Sequence, residues 1–222
     1  MTVWGRPQRL RVDNGLPWGT QSPVPSALAL WLVGLDVLPI YGRPARSTDN
    51  AVAERIHRLL AQWVEPDQCP GWSACQPRLA WAVETQRNRY PAVSGQTRLQ
   101  AYPGLRTNPR AYTVAQETSL WQMQRVRAYL AQFTFQRKVE TSGQVTLFAN
   151  RYSIGRRYRH QSVDIQFDQV SDHWLFRDDQ GRELRRLPSQ ELTYTQISQL
   201  QLGKRRKAPN PDVGYASKPY VG

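Results

Sequence analysis

The sequence predicts an α/β fold in its first part and a small β-barrel towards its end. Strand-like and helix-like apolar patterns alternate over the first 65 residues, which is typical of α/β folds. Between about residues 135 and 189 the apolar period changes to two, as in short strands. Eight Trp and an apolar fraction of 40% indicate packed cores rather than general disorder.

The first part follows the order strand, helix, strand, helix. Asn-Gly and three prolines interrupt regular structure after the first strand, and Ser26 is a suitable first cap for the helix that follows. The predicted elements are a strand at 8–13, a loop at 14–25, a helix at 26–35, a strand at 36–42 and a helix at about 50–63.

The middle of the chain is predicted to be helical with one irregular stretch. We expect a helix at about 77–89, mostly irregular chain at 90–112 and a single helix at 114–133. Five short strands broken by turns follow, and this number suits a small barrel that a turn of helix near residue 190 closes. The basic tail from residue 196 is expected to be disordered.

Net charge points to a polyanion as the partner. A formal net charge of +13 and a pI near 10.3 favour nucleic acid. We expect no membrane partner, since no stretch of 18 apolar residues and no lysine-rich amphipathic helix is present. Cys69 and Cys75 are the only cysteines, so a disulfide scaffold and a zinc site are both disfavoured. We therefore expect a cytoplasmic, nucleoid-associated protein.

Two carboxylates are candidates for a metal site. Asp13 ends the first predicted strand before an Asn-Gly turn, and Glu54 lies one turn into a helix rich in basic residues. Either has an ordinary explanation: Asp13 as an Asx turn, and Glu54 as an ion-pair partner of Arg58. Together, carboxylates from a strand end and the following helix are suitable ligands for Mg²⁺ or Mn²⁺, which prefer oxygen.

The motif around these carboxylates resembles the second half of the DDE integrase/transposase catalytic core. "DNG" at 13–15 is followed by "RPARSTDNAVAERIHRLL" at 43–60, where family members carry an N-x3-E-R-x-H-R pattern. The matching positions are Asn50, Glu54, Arg55, His57, Arg58 and Leu60. Residues 142–184 also resemble the C-terminal SH3-like barrel of insertion-sequence transposases.

The resemblance implies an RNase H-like fold with two divalent ions held by three carboxylates. Asp13 and Glu54 would be both catalytic residues and metal ligands, for phosphodiester cleavage and strand transfer. The sequence departs from the family pattern in three ways. No acidic residue precedes Asp13, and Ala51 stands where the family has a Gly. The spacing from Asp13 to Glu54 is longer than usual, so Asp49 is a rival ligand.

Arginine and lysine clusters are the candidate DNA contacts. Residues 105–160 hold ten Lys and Arg against two acidic residues, and "RYSIGRRYRH" interleaves arginines with tyrosines at 151–160. Such a surface neutralises phosphates independently of sequence; the alternative is a solvated barrel face with the tyrosines in the core. The predicted DNA contacts are Asn50, Arg55, His57, Arg58, Arg125, Arg127, Arg151, Arg156, Arg157, Arg159, Lys204, Arg205, Arg206 and Lys207, of which the last four equally suit a solubilising tail.

From these observations we expect a C-terminal portion of a DDE transposase or integrase that binds DNA and lacks the first catalytic Asp. The expected organisation is part of the catalytic core at 1–90, an irregular segment and linker helix at 91–134, an SH3-like DNA-binding barrel at 135–195 and a disordered basic tail at 196–222. Its expected partners are DNA and itself or a full-length transposase. The alternatives are a non-catalytic nucleic-acid-binding regulator derived from a transposase and, less favoured, an RNA-binding protein.

Overall fold

A parallel β–α–β unit opens the fold in the computed structural model, which describes residues 1, 5–12, 18, 24–42, 51–107 and 110–198. Strand β1 (Arg9–Val12) pairs in parallel with β2 (Leu38–Tyr41), and helix α1 (Ala27–Gly34) connects them. The side chain of Ser26 accepts a hydrogen bond from the backbone N–H of Ala29, so it caps α1 as predicted.

Helices α2 and α3 form a hairpin after the parallel unit. Helix α2 (Ala51–Val64) starts and ends within a residue of its predicted bounds, which confirms the strand–helix–strand–helix order. Helix α3 (Trp72–Asn88) begins five residues before its predicted start and carries Pro77 in its interior. None of the described helices is both long enough and apolar enough to span a bilayer.

The prediction of a single helix at 114–133 is wrong. After α4 (Arg98–Ala101) and the 3₁₀ turns Pro103–Arg106 and Val114–Gln116, the chain forms two short helices, α5 (Glu117–Leu120) and α6 (Met123–Leu130). The backbone is extended at Trp121 and Gln122 between them. This break turns the indole of Trp121 into the core, where only 7% of the residue stays exposed.

Gly34 and Trp121 fix the position of the break. The Trp121 indole donates a hydrogen bond to the Trp31 carbonyl at 3.1 Å, and the Gln122 N–H donates to the Gly34 carbonyl at 3.0 Å. A Cβ atom on Gly34 would lie 2.0 Å from the Trp121 Nε1 atom, so only glycine permits this contact. Tertiary packing against α1 therefore overrides the helical propensity of residues 114–133.

Six strands follow in two hydrogen-bonded sheets. The larger sheet is antiparallel in the order β3-β6-β7-β8, and β4 and β5 form a separate hairpin. Their bounds are β3 (Thr134–Lys138), β4 (Gln144–Leu147), β5 (Asn150–Ser153), β6 (Ser162–Asp168), β7 (His173–Arg177) and β8 (Glu183–Pro188), and helix α7 (Tyr194–Ser198) follows. The described strands do not close into one hydrogen-bonded barrel. The fold is thus mixed α/β. Six strands are found where five were predicted, because the alternating segment over residues 144–153 folds back on itself as the β4–β5 hairpin.

One hydrophobic core joins the parallel unit to the sheets. Buried side chains of α1, including Leu30 and Leu32, belong to the same cluster as Val126 and Leu130 of α6 and Trp174 of β7. The buried apolar residues of α2 and α3, Val64 and Ala82, lie outside this cluster. The expected boundary near residue 134 is therefore crossed by continuous packing, whereas the α2–α3 hairpin has its own small core.

The turn between β4 and β5 is conformationally strained. Phe148 and Ala149 form its two central residues with φ values of 49° and 65°, a conformation that favours Gly or Asn. Phe148 is held there because its ring packs 5.9 Å from that of Trp174, whereas Ala149 is exposed.

Ala149→Gly is expected to raise the free energy of unfolding by about 1 kcal/mol, because glycine relieves the left-handed strain. Urea denaturation measures this change. The matched control is Ala128→Gly in the exposed face of α6, where the same substitution is expected to lower stability by about 1 kcal/mol. A loss of stability in both variants would contradict the turn geometry.

Candidate nucleic-acid interface

Four exposed arginines form a cluster on the segment from β5 to β6. We call Arg151, Arg156, Arg157 and Arg159 the arginine cluster; all four are exposed. The intervening Tyr152 is 2% exposed and Ile154 is 1% exposed, because alternate residues of β5 point to opposite faces. The segment therefore buries its apolar side chains and directs its guanidinium groups into solvent.

The backbone under the arginine cluster is held by a close approach to Gly143. The N–H groups of Ile154 and Gly155 both donate to the Gly143 carbonyl, at 2.9 and 3.0 Å. A Cβ on Gly143, whose φ is +81°, would lie 2.5 Å from the Arg156 backbone nitrogen. The short 3₁₀ turn Arg156–Tyr158 follows, and the Arg157 guanidinium stacks 4.6 Å from the Tyr158 ring centroid.

Arginines outside the cluster neutralise the acidic side chains near two turns of the larger sheet. The acidic side chains near the β6–β7 and β7–β8 turns are taken up by other arginines: Asp172 pairs with Arg127, Asp178 with Arg182, and Asp168 and Glu183 with Arg186. Hydrogen bonding by Arg186 lowers the pKa of Glu183, and the Ser171 hydroxyl lowers that of Asp168. Within the described chain, no carboxylate forms an ion pair with the arginine cluster, so its charge is available to a polyanion.

Two further cations flank the arginine cluster and were missed by the sequence analysis. Arg185 of β8 is exposed, and its Nε donates to the Ile154 carbonyl at 3.5 Å. Exposed Lys138 lies opposite Ser162 in the β3–β6 register, directly after the cluster. The alternating patterns of β3 and β8 were visible in the sequence. They could not show that strand pairing places Arg185 beside residue 154 and Lys138 beside residue 162.

Glu54 and its basic neighbours lie on the open face of α2. Glu54, Arg55, His57 and Arg58 are all exposed. Glu54 has no hydrogen bond or ion pair with another described residue, so the intrahelical pair with Arg58 does not form. Its carboxylate is therefore accessible to a cation, and its oxygen atoms suit Mg²⁺ or Mn²⁺. Asp13, Asp49 and Asn50 lie outside the described residues, so their position relative to Glu54 is untested.

Arg125 and Arg127 are engaged inside the protein. Nη1 of Arg125 donates to the carbonyls of Gly34 and Leu120, both at 3.0 Å, and Arg127 pairs with Asp172. Their predicted contact with DNA would compete with these bonds, which tie α6 to α1 and to the β6–β7 turn. Lys204, Arg205, Arg206 and Lys207 lie outside the described residues.

A buried carboxylate supports the strand that carries the arginine cluster. Glu191 is 8% exposed and accepts hydrogen bonds from the Tyr152 hydroxyl at 2.5 Å, the Trp174 indole at 2.8 Å and the Asn150 amide at 3.2 Å. Burial, and then the hydrogen bond to Glu191, raise the pKa of Tyr152. The Glu191 cluster, as we call these four residues, joins β5 and β7 to the chain before α7. No sequence pattern had marked it.

Metal-ligand geometry and family comparison add little to this picture. Among the described residues, no group of three His, Cys, Asp or Glu side chains is arranged to hold a metal ion. A search against protein-family models finds none that matches the chain. The exposed guanidinium groups of the arginine cluster have a chemical preference for phosphate.

Proposed function

We propose that this chain is a DNA-binding protein of the DDE transposase/integrase class. The observation that carries the proposal is the arginine cluster, which presents four exposed guanidinium groups without a neutralising carboxylate among the described residues. Charge of this kind binds phosphate backbones irrespective of sequence. The SH3-like and RNase H-like folds implied by the resemblance belong to this proposal.

The order of elements in the first part supports the transposase class. Parallel strands β1 and β2 are joined by α1, and α2 follows β2 with Glu54 in its first turn. This is the order that the resemblance implies for the part of the core that supplies the second Asp and the Glu. In the proposal Asp13 and Glu54 contribute to a Mg²⁺ site, and the bound metal would supply electrophilic activation of a phosphodiester.

A non-catalytic DNA-binding regulator is the second candidate. It is favoured by the separation between the arginine cluster, whose chain neighbours Tyr152 and Ile154 belong to the main core, and α2, whose buried Val64 lies outside that core. DNA binding through the sheet therefore does not depend on the carboxylates.

Fluorescence anisotropy with labelled duplex DNA tests DNA binding. We expect log affinity to fall against log salt with a slope of about −4, since each neutralised phosphate contributes about −0.9. Asp13→Asn and Glu54→Gln are expected to leave this affinity unchanged. Because the resemblance implies that the first catalytic Asp is missing, the chain is expected to be inactive alone. A nicking assay with Mg²⁺ tests this expectation: nicking that Glu54→Gln abolishes would contradict it and would reveal a working active site in the chain. Salt-independent binding, or preference for an RNA duplex in competition, would contradict the proposal.

A further inference from the structure

A groove beside α2 lies apart from the arginine cluster. It has a volume of about 400 Å³ and runs between α2 and the segment that leads from Tyr90 into α4. This volume lies in the range of pockets that hold small ligands. The residues that determine its chemistry are Val52, Arg55, Ile56, Leu59, Tyr90 and Arg98.

One side of the groove is apolar and open to solvent. Val52 is 70% exposed and Tyr90 is 39% exposed, while Ile56 and Leu59 are half-buried between them. The Tyr90 ring meets the Trp63 ring edge-on at 5.5 Å, and this contact fixes the ring at the groove. Exposed apolar side chains grouped in this way are typical of a binding surface.

The other side of the groove carries two guanidinium groups. Gln86 is 7% exposed. With its side-chain oxygen oriented towards Arg98, it accepts hydrogen bonds from the Arg98 Nε atom at 2.8 Å and from Nη2 at 3.2 Å. A capping box between Thr97 and Gln100 begins α4 and positions Arg98. Arg55 has no hydrogen bond or ion pair with another described residue, and none of the described residues that line the groove is a carboxylate.

We propose that this groove binds one nucleotide of a single DNA strand. The base packs against Tyr90 and the apolar wall, and the phosphate binds Arg55 and Arg98. Charge complementarity favours an anion, because the described lining contains two guanidinium groups and no carboxylate. An apolar wall beside an accessible aromatic ring suits the face of a base. Among anions that carry an apolar group, the choice of a nucleotide rests on the proposed DNA-binding function.

Titration of the ¹⁵N-labelled chain with 5′-dAMP, deoxyadenosine and inorganic phosphate tests this inference. We expect 5′-dAMP to shift the indole N–H signal of Trp63, which contacts Tyr90. Deoxyadenosine, which lacks the phosphate, and phosphate, which lacks the base, are each expected to bind at least about tenfold more weakly. Equal binding of 5′-dAMP and phosphate, equal binding of 5′-dAMP and deoxyadenosine, or no shift of the Trp63 signal would overturn the inference.

Variants separate the groove from the rest of the protein. Arg55→Ala is expected to weaken 5′-dAMP binding about tenfold through loss of a charged hydrogen bond. Arg106→Ala, at an exposed arginine of the 3₁₀ turn Pro103–Arg106 that does not line the groove, is the matched control and should leave 5′-dAMP binding unchanged. Arg98→Lys keeps the charge and loses the planar fork, so it should also weaken binding. If Arg55→Ala and Arg106→Ala behave alike, the groove is not the site.

Duplex binding by the same proteins distinguishes this inference from the proposed function. Loss of 5′-dAMP binding in Arg55→Ala with unchanged duplex affinity supports a separate nucleotide site. Absence of duplex binding by the wild-type chain would refute the proposed function, whereas an absent 5′-dAMP response beside normal duplex binding would refute only the groove.

Discussion

Glu191→Ala is expected to lower the free energy of unfolding by about 4 kcal/mol, since it leaves several buried donors without an acceptor at roughly 1–3 kcal/mol each. The Trp174 indole and the Tyr152 hydroxyl are both buried and both donate to this carboxylate. Total stabilities of globular domains are only about 5–15 kcal/mol, so a loss of this size is expected to leave the sheets marginally folded. Urea denaturation followed by tryptophan fluorescence measures it.

Glu183→Ala is the matched control for this prediction. Glu183 is an exposed carboxylate on β8 that pairs with Arg186 at 3.2 Å. An exposed ion pair contributes little to stability, so this variant is expected to unfold at the same urea concentration as the wild type. If both variants lose the same stability, the contribution of the Glu191 cluster comes from general charge effects rather than from buried hydrogen bonds.

The triple variant Arg156→Glu/Arg157→Glu/Arg159→Glu is expected to weaken duplex DNA binding by at least about a hundredfold at roughly 0.1 M salt, with a salt slope smaller by about 3. All three side chains are exposed and unpaired with described carboxylates, so the fold does not require their charge. The backbone under them is held by Gly143, whose hydrogen bonds the substitutions leave intact. Anisotropy across a salt series measures both quantities, and circular dichroism checks the fold.

A second triple variant controls for net charge. Arg78, Arg89 and Arg106 are exposed and lie on α3 and the segment after it, so changing them to Glu alters the net charge of the chain equally. We expect a small loss of affinity and an almost unchanged salt slope from this control. Equal effects in the two triple variants would show that total charge, and not the arginine cluster, governs DNA binding.

Local patterns in the sequence correctly predicted features that depend only on residues close to one another in the chain. Ser26 caps α1 because its side chain needs only the N–H three residues later. Tyr152 is buried, as in the alternative of a solvated barrel face with the tyrosines in the core, because alternate residues of an extended strand point to opposite faces. The exposure of Arg151 and the burial of Tyr152 follow directly from that alternation.

Contacts between distant residues decided what local patterns could not. The helix expected at 114–133 breaks because Trp121 packs against Gly34, which is 87 positions away. Arg125 and Arg127 have the exposed-face pattern of a DNA-contacting helix, yet they bond the Gly34 carbonyl and Asp172. At Trp121 the long-range contact outweighs the few tenths of a kcal/mol per residue that helical propensity offers. Arg125 and Arg127 stay helical in α6, but distant partners determine where their side chains lie.

The sequence by itself determined the α/β order, the strands after residue 134, the basic charge and the exposure of the arginine cluster, because these follow from composition and periodicity along the chain. Only the tertiary structure decided that α1 shares a core with the sheets, that Glu191 is buried beneath Tyr152 and Trp174, and that Arg55 and Arg98 face one groove. The physical reason is that burial and hydrogen bonding depend on which distant side chains meet, and periodicity carries no information about such partners.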